Sequence, residues 1–177
     1  MIMSLEHGCV QVYTGNGKGK TTAALGLALR AVGRGLKVCI FQFIKGGGRY
    51  GEHLAAEKLA PLLTIIQTGR PGWVNTNDIT EDRYVAQESF VRAEELLTSG
   101  EFDLFICDEI NGAVGFGLID VEQVLELISR KPEKTELVLT GRNAHQLVID
   151  AADLVTEMRE IKHYYKAGVP ARSGIEM

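Results

Sequence analysis

Short apolar runs rich in β-branched residues alternate along the chain with stretches that place apolar side chains at helical spacing. Runs of this kind predict strands, and several are apolar enough to be buried on both faces of a sheet. The predicted strands are CVQVYT (9–14), KVCIFQF (37–43), LTIIQT (63–68), DLFICD (103–108), ELVLT (136–140) and LVTEM (154–158).

Apolar residues repeating with the period of a helix predict helices between these strands. Their shared faces are Leu25, Ala28, Leu29 and Val32 in the first, Ala86, Phe90, Ala93 and Leu97 in the second, and Val124, Leu127 and Ile128 in the third, which follows Asp120 and stops before Pro132. The first helix should end at Gly33 or Gly35, and the second should begin behind a cap at Asp78 or Thr80. A short fourth helix is predicted over about 144–151.

Alternation of strands and helices predicts an α/β fold, with a mostly parallel central sheet between two layers of helices and right-handed crossovers. Ligands of such sheets bind at the carboxyl ends of the strands. Since no repeat, low-complexity tract or linker divides the sequence, we expect residues 1–177 to form a single domain. The glycine-rich segment KGGGRYGE (45–52) and the irregular segment GRPGWVNTND (69–78) should form loops beside the one that follows the first strand.

The charge balance limits the partners that the chain can have. A formal net charge of -4 argues against an extended surface for nucleic acid or acidic membrane, so any anion site must be local. The start of the chain lacks a basic segment followed by a long apolar one, and no apolar run reaches about 18 residues. We therefore expect neither a signal peptide nor a membrane span.

The three cysteines, Cys9, Cys39 and Cys107, each lie within an apolar run and form no C-x-x-C pair. They are interpreted as reduced core residues, which favours a cytoplasmic protein without a disulfide framework or zinc site. The four histidines are scattered and lack the spacing of metal ligands.

The loop TGNGKGKT (14–21) matches the phosphate-binding pattern G-x-x-x-x-G-K-[ST] except at Thr14, where the pattern has glycine. It follows a predicted strand and begins a predicted helix, which is the context in which this motif binds phosphate. The loop's glycines let backbone amides surround phosphate oxygens at the positive end of the helix. Lys20 is predicted to reach the phosphates.

Side chains next to Lys20 extend the predicted site. The Thr21 hydroxyl is expected to bind Mg²⁺, Thr22 to contact phosphate, and Lys18 to add positive charge. Asp108 and Glu109 end an apolar strand, where a carboxylate can hold Mg²⁺ directly or through water. The sequence leaves open which of these two acids touches the metal.

Further candidates have more than one reading. Arg142 follows a strand end, so it either stabilises a phosphate leaving group or is an exposed arginine at a helix start. Arg49 and Glu52 could contact ribose, metal or nothing. Trp73 and the Tyr164–Tyr165 pair either cover a large planar ligand or pack in the core or an interface.

Four motifs occur in order along the chain: GNGKGKTT (15–22), DEIN (108–111), LTGRNA (139–144) and EMREIKH (157–163). With the strings around them, from about Val10 to Glu176, they resemble the P-loop type of ATP:corrinoid adenosyltransferase, the cob(I)alamin or cob(I)yrinic acid a,c-diamide adenosyltransferase family. The resemblance implies a RecA-like P-loop NTPase domain that acts as a homodimer. It also implies a reductase or flavodoxin-like protein that delivers electrons to the corrinoid substrate.

The family's reaction moves the 5′-deoxyadenosyl group of ATP to the Co(I) centre of a reduced corrinoid and releases triphosphate. The resemblance implies that ATP lies reversed relative to other P-loop enzymes, and that Thr21 and an acid at 108–109 hold Mg²⁺ or Mn²⁺. Lys20 and Arg142 are the predicted catalytic residues. Binding to ATP or corrinoid is assigned to Gly15, Asn16, Gly17, Lys18, Gly19, Lys20, Thr21, Thr22 and Trp73.

The chain departs from the family pattern in two places. Many members carry Phe-Thr-Trp where this chain has Gly72, Trp73 and Val74, so displacement of the corrinoid's lower ligand needs another explanation. Eight residues precede the first predicted strand, whereas some members have a longer segment that covers the partner's corrinoid. Closure of the site is therefore expected from residues 160–177 or from the 45–52 segment.

Two other functions fit the loop alone. In a P-loop ATPase or small-molecule kinase, Asp108 or Glu109 would orient water or a substrate hydroxyl. In a nucleotide-sensing module, ATP would bind without turnover. The reaction products distinguish these alternatives from adenosyl transfer.

Overall fold

The computed structural model describes residues 5–72 and 74–176, so the ligand contact predicted for Trp73 lies outside the described residues. All six predicted strands are confirmed with small changes at their ends. They are β1 (Val10–Thr14), β2 (Val38–Gln42), β3 (Leu63–Gln67), β4 (Leu104–Asp108), β5 (Glu136–Thr140) and β6 (Leu154–Glu157).

Within the described ranges these strands form one six-stranded sheet in the order β3-β2-β4-β5-β1-β6. Every pair is parallel, so the sheet is entirely rather than mostly parallel. β1 lies between β5 and β6, with Val12 opposite both Leu139 and Val155. All carboxyl ends consequently meet at one edge of the sheet, where the phosphate-loop motif lies.

The helices of the described chain follow the strands in alternation. They are α1 (Lys20–Val32), α2 (Gly51–Leu59), α3 (Thr80–Thr98), α4 (Ile110–Gly115), α5 (Val121–Ser129) and α6 (Gln146–Ala151), with a short 3₁₀ helix at Tyr164–Ala167. The predictions of α1, α3, α5 and α6 are confirmed. Asp78 accepts a hydrogen bond from the Thr80 backbone N–H at 3.1 Å, so it helps to start α3.

The sequence interpretation did not foresee α2 and α4. α2 begins inside the glycine-rich segment 45–52, which was expected to be a loop. Tyr50 and His53 form a capping box there: the Tyr50 N–H donates to His53 Nδ1 at 2.9 Å. The apolar side chains after Gly51, such as Leu54, Ala55 and Leu59, are spaced as in a helix, and this spacing was the available signal for α2.

Side chains alternate between two cores on opposite faces of the sheet. α1 and α2 pack on one face against residues such as Ile40 and Ile106, while α3 to α6 pack on the other against residues such as Phe41 and Cys107. The structure is therefore the predicted three-layer α/β fold. In the part of the chain that is described, no helix is long and apolar enough to cross a bilayer.

One predicted face is wrong in part. Ala28 and Val32 are buried as predicted, together with Ala24 and Ala31, whereas Leu29 is 61% exposed. The small alanine side chains face the sheet and let α1 approach it closely. The larger Leu29 lies outside this contact. Cys39 and Cys107 are buried as expected, whereas Cys9 is half-buried.

Candidate active site

Thr14, the departure from the phosphate-loop pattern, connects two loops. Its side chain is 8% exposed, and its hydroxyl oxygen accepts a hydrogen bond from the Ala144 backbone N–H at 3.1 Å. Ala144 lies just beyond Arg142 in the loop after β5. A glycine at position 14 would have no side chain to make this bond, so Thr14 helps to fix the segment that carries Arg142.

Lys20 lies folded over its own loop. Its ammonium donates to the carbonyl oxygens of Gly15 at 2.7 Å and Gly17 at 3.0 Å. Burial lowers the pKa of Lys20, and the nearby carboxylate of Glu109 opposes that effect. The lysine is thus positioned at the centre of the loop, with its charge matched by backbone oxygens.

The loop's glycines pack against the chain segment that follows β6. The Gly17 N–H donates to the Met158 carbonyl at 2.7 Å, and a Cβ at Gly17 would lie 2.7 Å from that same oxygen. Gly15 approaches Met158 equally closely and has a φ of +95°. These two positions need glycine for backbone packing, and the Gly17 amide is paired with protein rather than directed into an open loop.

Asp108 is completely buried beneath the loop. Its Oδ1 accepts hydrogen bonds from Thr21 Oγ1 at 2.9 Å and from Thr140 Oγ1 at 2.6 Å. Its Oδ2 lies 2.5 Å from the ammonium of Lys45. Both oxygens of this buried carboxylate therefore have hydrogen-bond or ion-pair partners inside the protein.

Glu109 has different surroundings although it is the next residue. Its backbone is left-handed, with a φ of 64°, and its N–H donates to Thr140 Oγ1 at 3.0 Å. The side chain lines a cavity. Burial and the charge of Asp108 raise the pKa of Glu109. Asp108 is therefore fixed inside the protein, and Glu109 is the carboxylate that reaches the cavity.

This cavity has a volume of about 740 Å³ and extends from the carboxyl ends of the strands along α1 and α2 as far as Leu63 at the start of β3. One part is cationic, and the other is apolar because α1 and α2 turn leucine and alanine side chains toward it. The cationic side chains are Lys18, Lys20, Lys45 and Arg142, and the apolar ones are Leu25, Leu29, Ala55, Leu59, Leu63 and Ile175. Leu29, misassigned to the core from sequence, belongs to this wall.

The carboxyl-terminal segment closes one side of the cavity with Gly174, Ile175 and Glu176. Glu176 lies 3.7 Å from the Lys18 ammonium and is bonded by Arg172 and by the Tyr164 hydroxyl. Arg172 and Tyr164 hold the pKa of Glu176 at about 2. This segment is one of the two predicted sources of closure.

The structure brings most of the predicted site residues together. Those that line the cavity are Gly17, Lys18, Gly19, Lys20, Thr21, Thr22, Glu52, Glu109 and Arg142. Gly15 bonds Lys20, whereas Asn16 is exposed and does not line the cavity. Arg49 pairs with Glu57 on the surface, and Tyr165 is 75% exposed, so neither contributes to the cavity.

Sequence reasoning missed Lys45, Gln42 and Thr140. Gln42 is buried at the end of β2, where its amide nitrogen lies 3.3 Å from Glu52 Oε1 and its amide oxygen 2.9 Å from His53 Nε2. Lys45 and Thr140 lie at or just past strand ends. A polar side chain at the carboxyl end of a buried strand was the available signal.

The oxygen atoms around Thr21 fit a hard divalent cation. Across residues 5–72 and 74–176, no group of three or more His, Cys, Asp or Glu side chains could hold a metal ion by itself. A hydroxyl and one or two carboxylates, completed by phosphate and water, are what Mg²⁺ uses in nucleotide sites. The donor set at Thr21, Asp108 and Glu109 meets that requirement.

Comparison with known proteins decides the family. Residues 6–177 match the family described as ATP:corrinoid adenosyltransferase BtuR/CobO/CobP. The chain belongs to this family. The resemblance predicted from the sequence is thereby confirmed, and the activity is the transfer of an adenosyl group from ATP to a corrinoid.

Individual members of the adenosyltransferase family are similar over nearly their whole length. A corrinoid adenosyltransferase of Escherichia coli K12 is 37% identical over 171 residues, which cover 97% of this chain and 86% of the relative. One from Pseudomonas aeruginosa is 37% identical over 97% of this chain and 84% of its own. The corrinoid adenosyltransferase CobA of Salmonella typhimurium is 36% identical over 97% of this chain and 86% of its own.

A solved structure shows the same fold at low sequence identity. The flagellar accessory protein FlaH of Methanocaldococcus jannaschii matches with a TM-score of 0.62 at 13% identity, over 86% of this chain and 72% of that one. At this identity the likeness concerns the fold alone.

Proposed function

We propose that this adenosyltransferase moves the 5′-deoxyadenosyl group of ATP to the Co(I) centre of a reduced corrinoid and releases triphosphate. The observation that carries the proposal is the cavity. Cationic side chains gather at its phosphate-loop end, and an apolar wall adjoins them. Such a site can stabilise the charge of a departing triphosphate while excluding water from the reacting carbon.

The reaction explains the residue types in the cavity. Among the described residues that line it, none is a serine or cysteine. Co(I) is itself the nucleophile, so the protein's tasks are to position the substrates and to stabilise the leaving group. Lys20 and Arg142 are assigned to the triphosphate, with Lys18 as a further cation once it separates from Glu176.

The phosphate loop is assigned to the triphosphate end of ATP through Gly15, Asn16, Gly17, Lys18, Gly19, Lys20, Thr21 and Thr22. We assign Mg²⁺ or Mn²⁺ to Thr21 and to the acids Asp108 and Glu109. The divalent cation supplies neutralisation of phosphate charge. Because Asp108 is engaged by hydroxyl donors, Glu109 is the acid most accessible to a ligand in the cavity.

Other features of the proposed function come from the family resemblance. They are a homodimer and a reductase or flavodoxin-like protein as electron donor, while the single domain over residues 1–177 and the cytoplasmic location are proposed from the sequence itself. The apolar wall supports a bulky corrinoid substrate.

An anaerobic assay tests the proposal. ATP, Mg²⁺ and a chemically reduced Co(I) corrinoid should give the absorption spectrum of an adenosylated corrinoid together with one triphosphate per corrinoid. Lys20→Gln should lower kcat/KM by at least about a hundredfold, in the range seen when one charge-stabilising donor is removed. Lys134→Gln, a change at an exposed lysine, is the matched control. Formation of ADP and phosphate alone would contradict the proposal and favour an ATPase.

A further inference from the structure

Lys45 places its ammonium between two of the proposed metal ligands. Nζ lies 2.5 Å from Asp108 Oδ2 and donates to Thr21 Oγ1 at 3.1 Å. We call the space next to these two oxygens the cation position. In P-loop enzymes a threonine of the loop and an acid at a strand end are the protein ligands of the nucleotide's Mg²⁺. The ammonium thus uses oxygens that a divalent cation would use.

The backbone around Lys45 is held tightly in this place. Ile44 has a φ of 48°, a conformation that is an outlier for a β-branched residue. On the other side, a Cβ at Gly46 would lie 2.0 Å from the Gly69 carbonyl oxygen, and the Gly69 N–H donates to the Lys45 carbonyl at 2.8 Å. A costly backbone conformation that is fixed by its surroundings points to a functional position.

Asp108 explains why a cation is needed there before nucleotide binds. Its carboxylate is completely buried, and an uncompensated buried charge is strongly unfavourable. The ammonium of Lys45 supplies the compensating charge, while its side chain is 25% exposed. The lysine therefore retains a path from the cation position into the cavity that it also lines.

We propose that Lys45 is a tethered cation that occupies the cation position in the nucleotide-free protein and gives it up to the divalent cation that arrives with ATP. This inference rests on the proposed function, which assigns that cation to Thr21, Asp108 and Glu109. A divalent ion and an ammonium repel each other at contact distance, so both cannot hold the position. The displaced ammonium enters the cavity, where Lys20 and Arg142 lie.

The exchange couples metal binding to nucleotide binding. A free divalent cation that displaces Lys45 leaves its ammonium without a negatively charged partner. A cation bound to ATP brings phosphates that receive the displaced ammonium. The nucleotide-free protein should therefore bind divalent cations weakly. A lysine suits this role because its ammonium is a compact charge on a flexible stem.

Binding of Mn²⁺ without nucleotide, measured by electron paramagnetic resonance, tests the exchange. Lys45→Met keeps the length of the side chain and removes its charge. We expect it to bind Mn²⁺ at least about tenfold more tightly than the wild-type protein, because removing the ammonium removes its competition for the two oxygens and its repulsion of the ion. Lys45→Arg keeps the charge and should bind Mn²⁺ as weakly as wild type. Equal affinity in Lys45→Met and wild type would overturn the proposal.

A measurement on wild-type protein covers the case in which Lys45→Met does not fold. In a crystal structure with Mg²⁺ and a non-reactive ATP analogue, Lys45 Nζ should lie more than about 4 Å from Asp108, beyond ion-pair distance. An ammonium still in contact with Asp108, with the metal bound elsewhere, would overturn the exchange.

A separate experiment tests the metal assignment of the proposed function. Thr21→Val and Glu109→Gln should weaken Mn²⁺ binding in the presence of ATP. If neither variant does so, the metal assignment fails, and the Mn²⁺ affinities of the Lys45 variants without nucleotide still report on Lys45. The two failures are thus distinguishable.

Discussion

At the scale of single residues, Asp108 and Glu109 show how adjacent acids can have different energetics. Asp108 is surrounded by donors from Thr21, Thr140 and Lys45. Glu109 has a left-handed backbone and a raised pKa, so its charged form is held at a cost. Residues kept in unfavourable surroundings for function are places where stability can be gained by substitution.

Glu109→Gln should stabilise the nucleotide-free protein at neutral pH by about 1 kcal/mol. A carboxyl group whose pKa is raised in the folded state destabilises that state as pH rises past the unfolded value of about 4.3, and it has no such effect below it. The gain over wild type should therefore grow from about pH 4 toward neutrality, and urea unfolding at several pH values measures it.

Glu133→Gln, at an exposed acid, is the control for this stability change. The same Glu109→Gln protein should lose most of its metal-dependent ATP affinity. A Glu109→Gln variant that is no more stable than wild type at pH 7 would show that the charged Glu109 side chain does not destabilise the folded protein.

At the scale of elements, the strands could be predicted from sequence because each is a short, buried, β-branched run. α2 was missed because three glycines precede it, and these suggest an irregular segment. The burial of Leu29 was predicted wrongly because helical periodicity does not tell a core from the wall of a cavity. That difference depends on which residues of other elements lie opposite, such as Ala55 and Leu59.

Gly46→Ala should destabilise the protein by about 2 kcal/mol, in the range of overpacking a tight contact. The new methyl would lie 2.0 Å from the Gly69 carbonyl oxygen and 2.5 Å from that of Arg70, and these backbone atoms cannot move aside as a flexible side chain could. Thermal or urea unfolding measures the change. The backbone movement that relieves this contact should also shift Lys45 away from Asp108.

Gly26→Ala in the middle of α1 is the matched control, since a Cβ there has no neighbour within 4 Å. This control should be about 0.5 to 1 kcal/mol more stable than wild type, because alanine loses less backbone entropy in a helix. A Gly46→Ala protein as stable as wild type would mean that the segments around Gly46 and Gly69 separate easily.

At the scale of the whole molecule, the site combines residues that are close in sequence with residues that only the fold brings together. Lys20 and Thr21 belong to one motif, and Asp108 ends a recognisable strand, so these were predictable. The contacts of Lys45 with Asp108 and of Glu176 with Lys18 were not, because they depend on how distant segments return over the strand ends. Pairings of this kind leave no local pattern in a single sequence.

Glu176→Gln should tighten ATP binding about twofold, since it removes an acidic competitor for Lys18 at a partly exposed ion pair whose charged atoms are 3.7 Å apart. Isothermal titration calorimetry with Mg²⁺ and ATP measures the effect. Glu126→Gln, which removes an exposed acid paired with Arg130 away from the cavity, should leave the affinity unchanged. Weaker binding in Glu176→Gln would instead indicate that the carboxyl-terminal segment contacts the nucleotide.

The place of β1 between β5 and β6 has a consequence for synthesis on the ribosome. The strand is translated long before its partners, which include Leu137 for Val10 and Val155 for Val12. The hydrogen bond from the Gly17 N–H to the Met158 carbonyl also cannot form until Met158 has been translated. Pairings so distant in sequence form slowly, and a nascent strand without partners is prone to aggregate. The nucleotide site is therefore assembled only when most of the chain has been translated, and ATP cannot guide the earlier steps of folding.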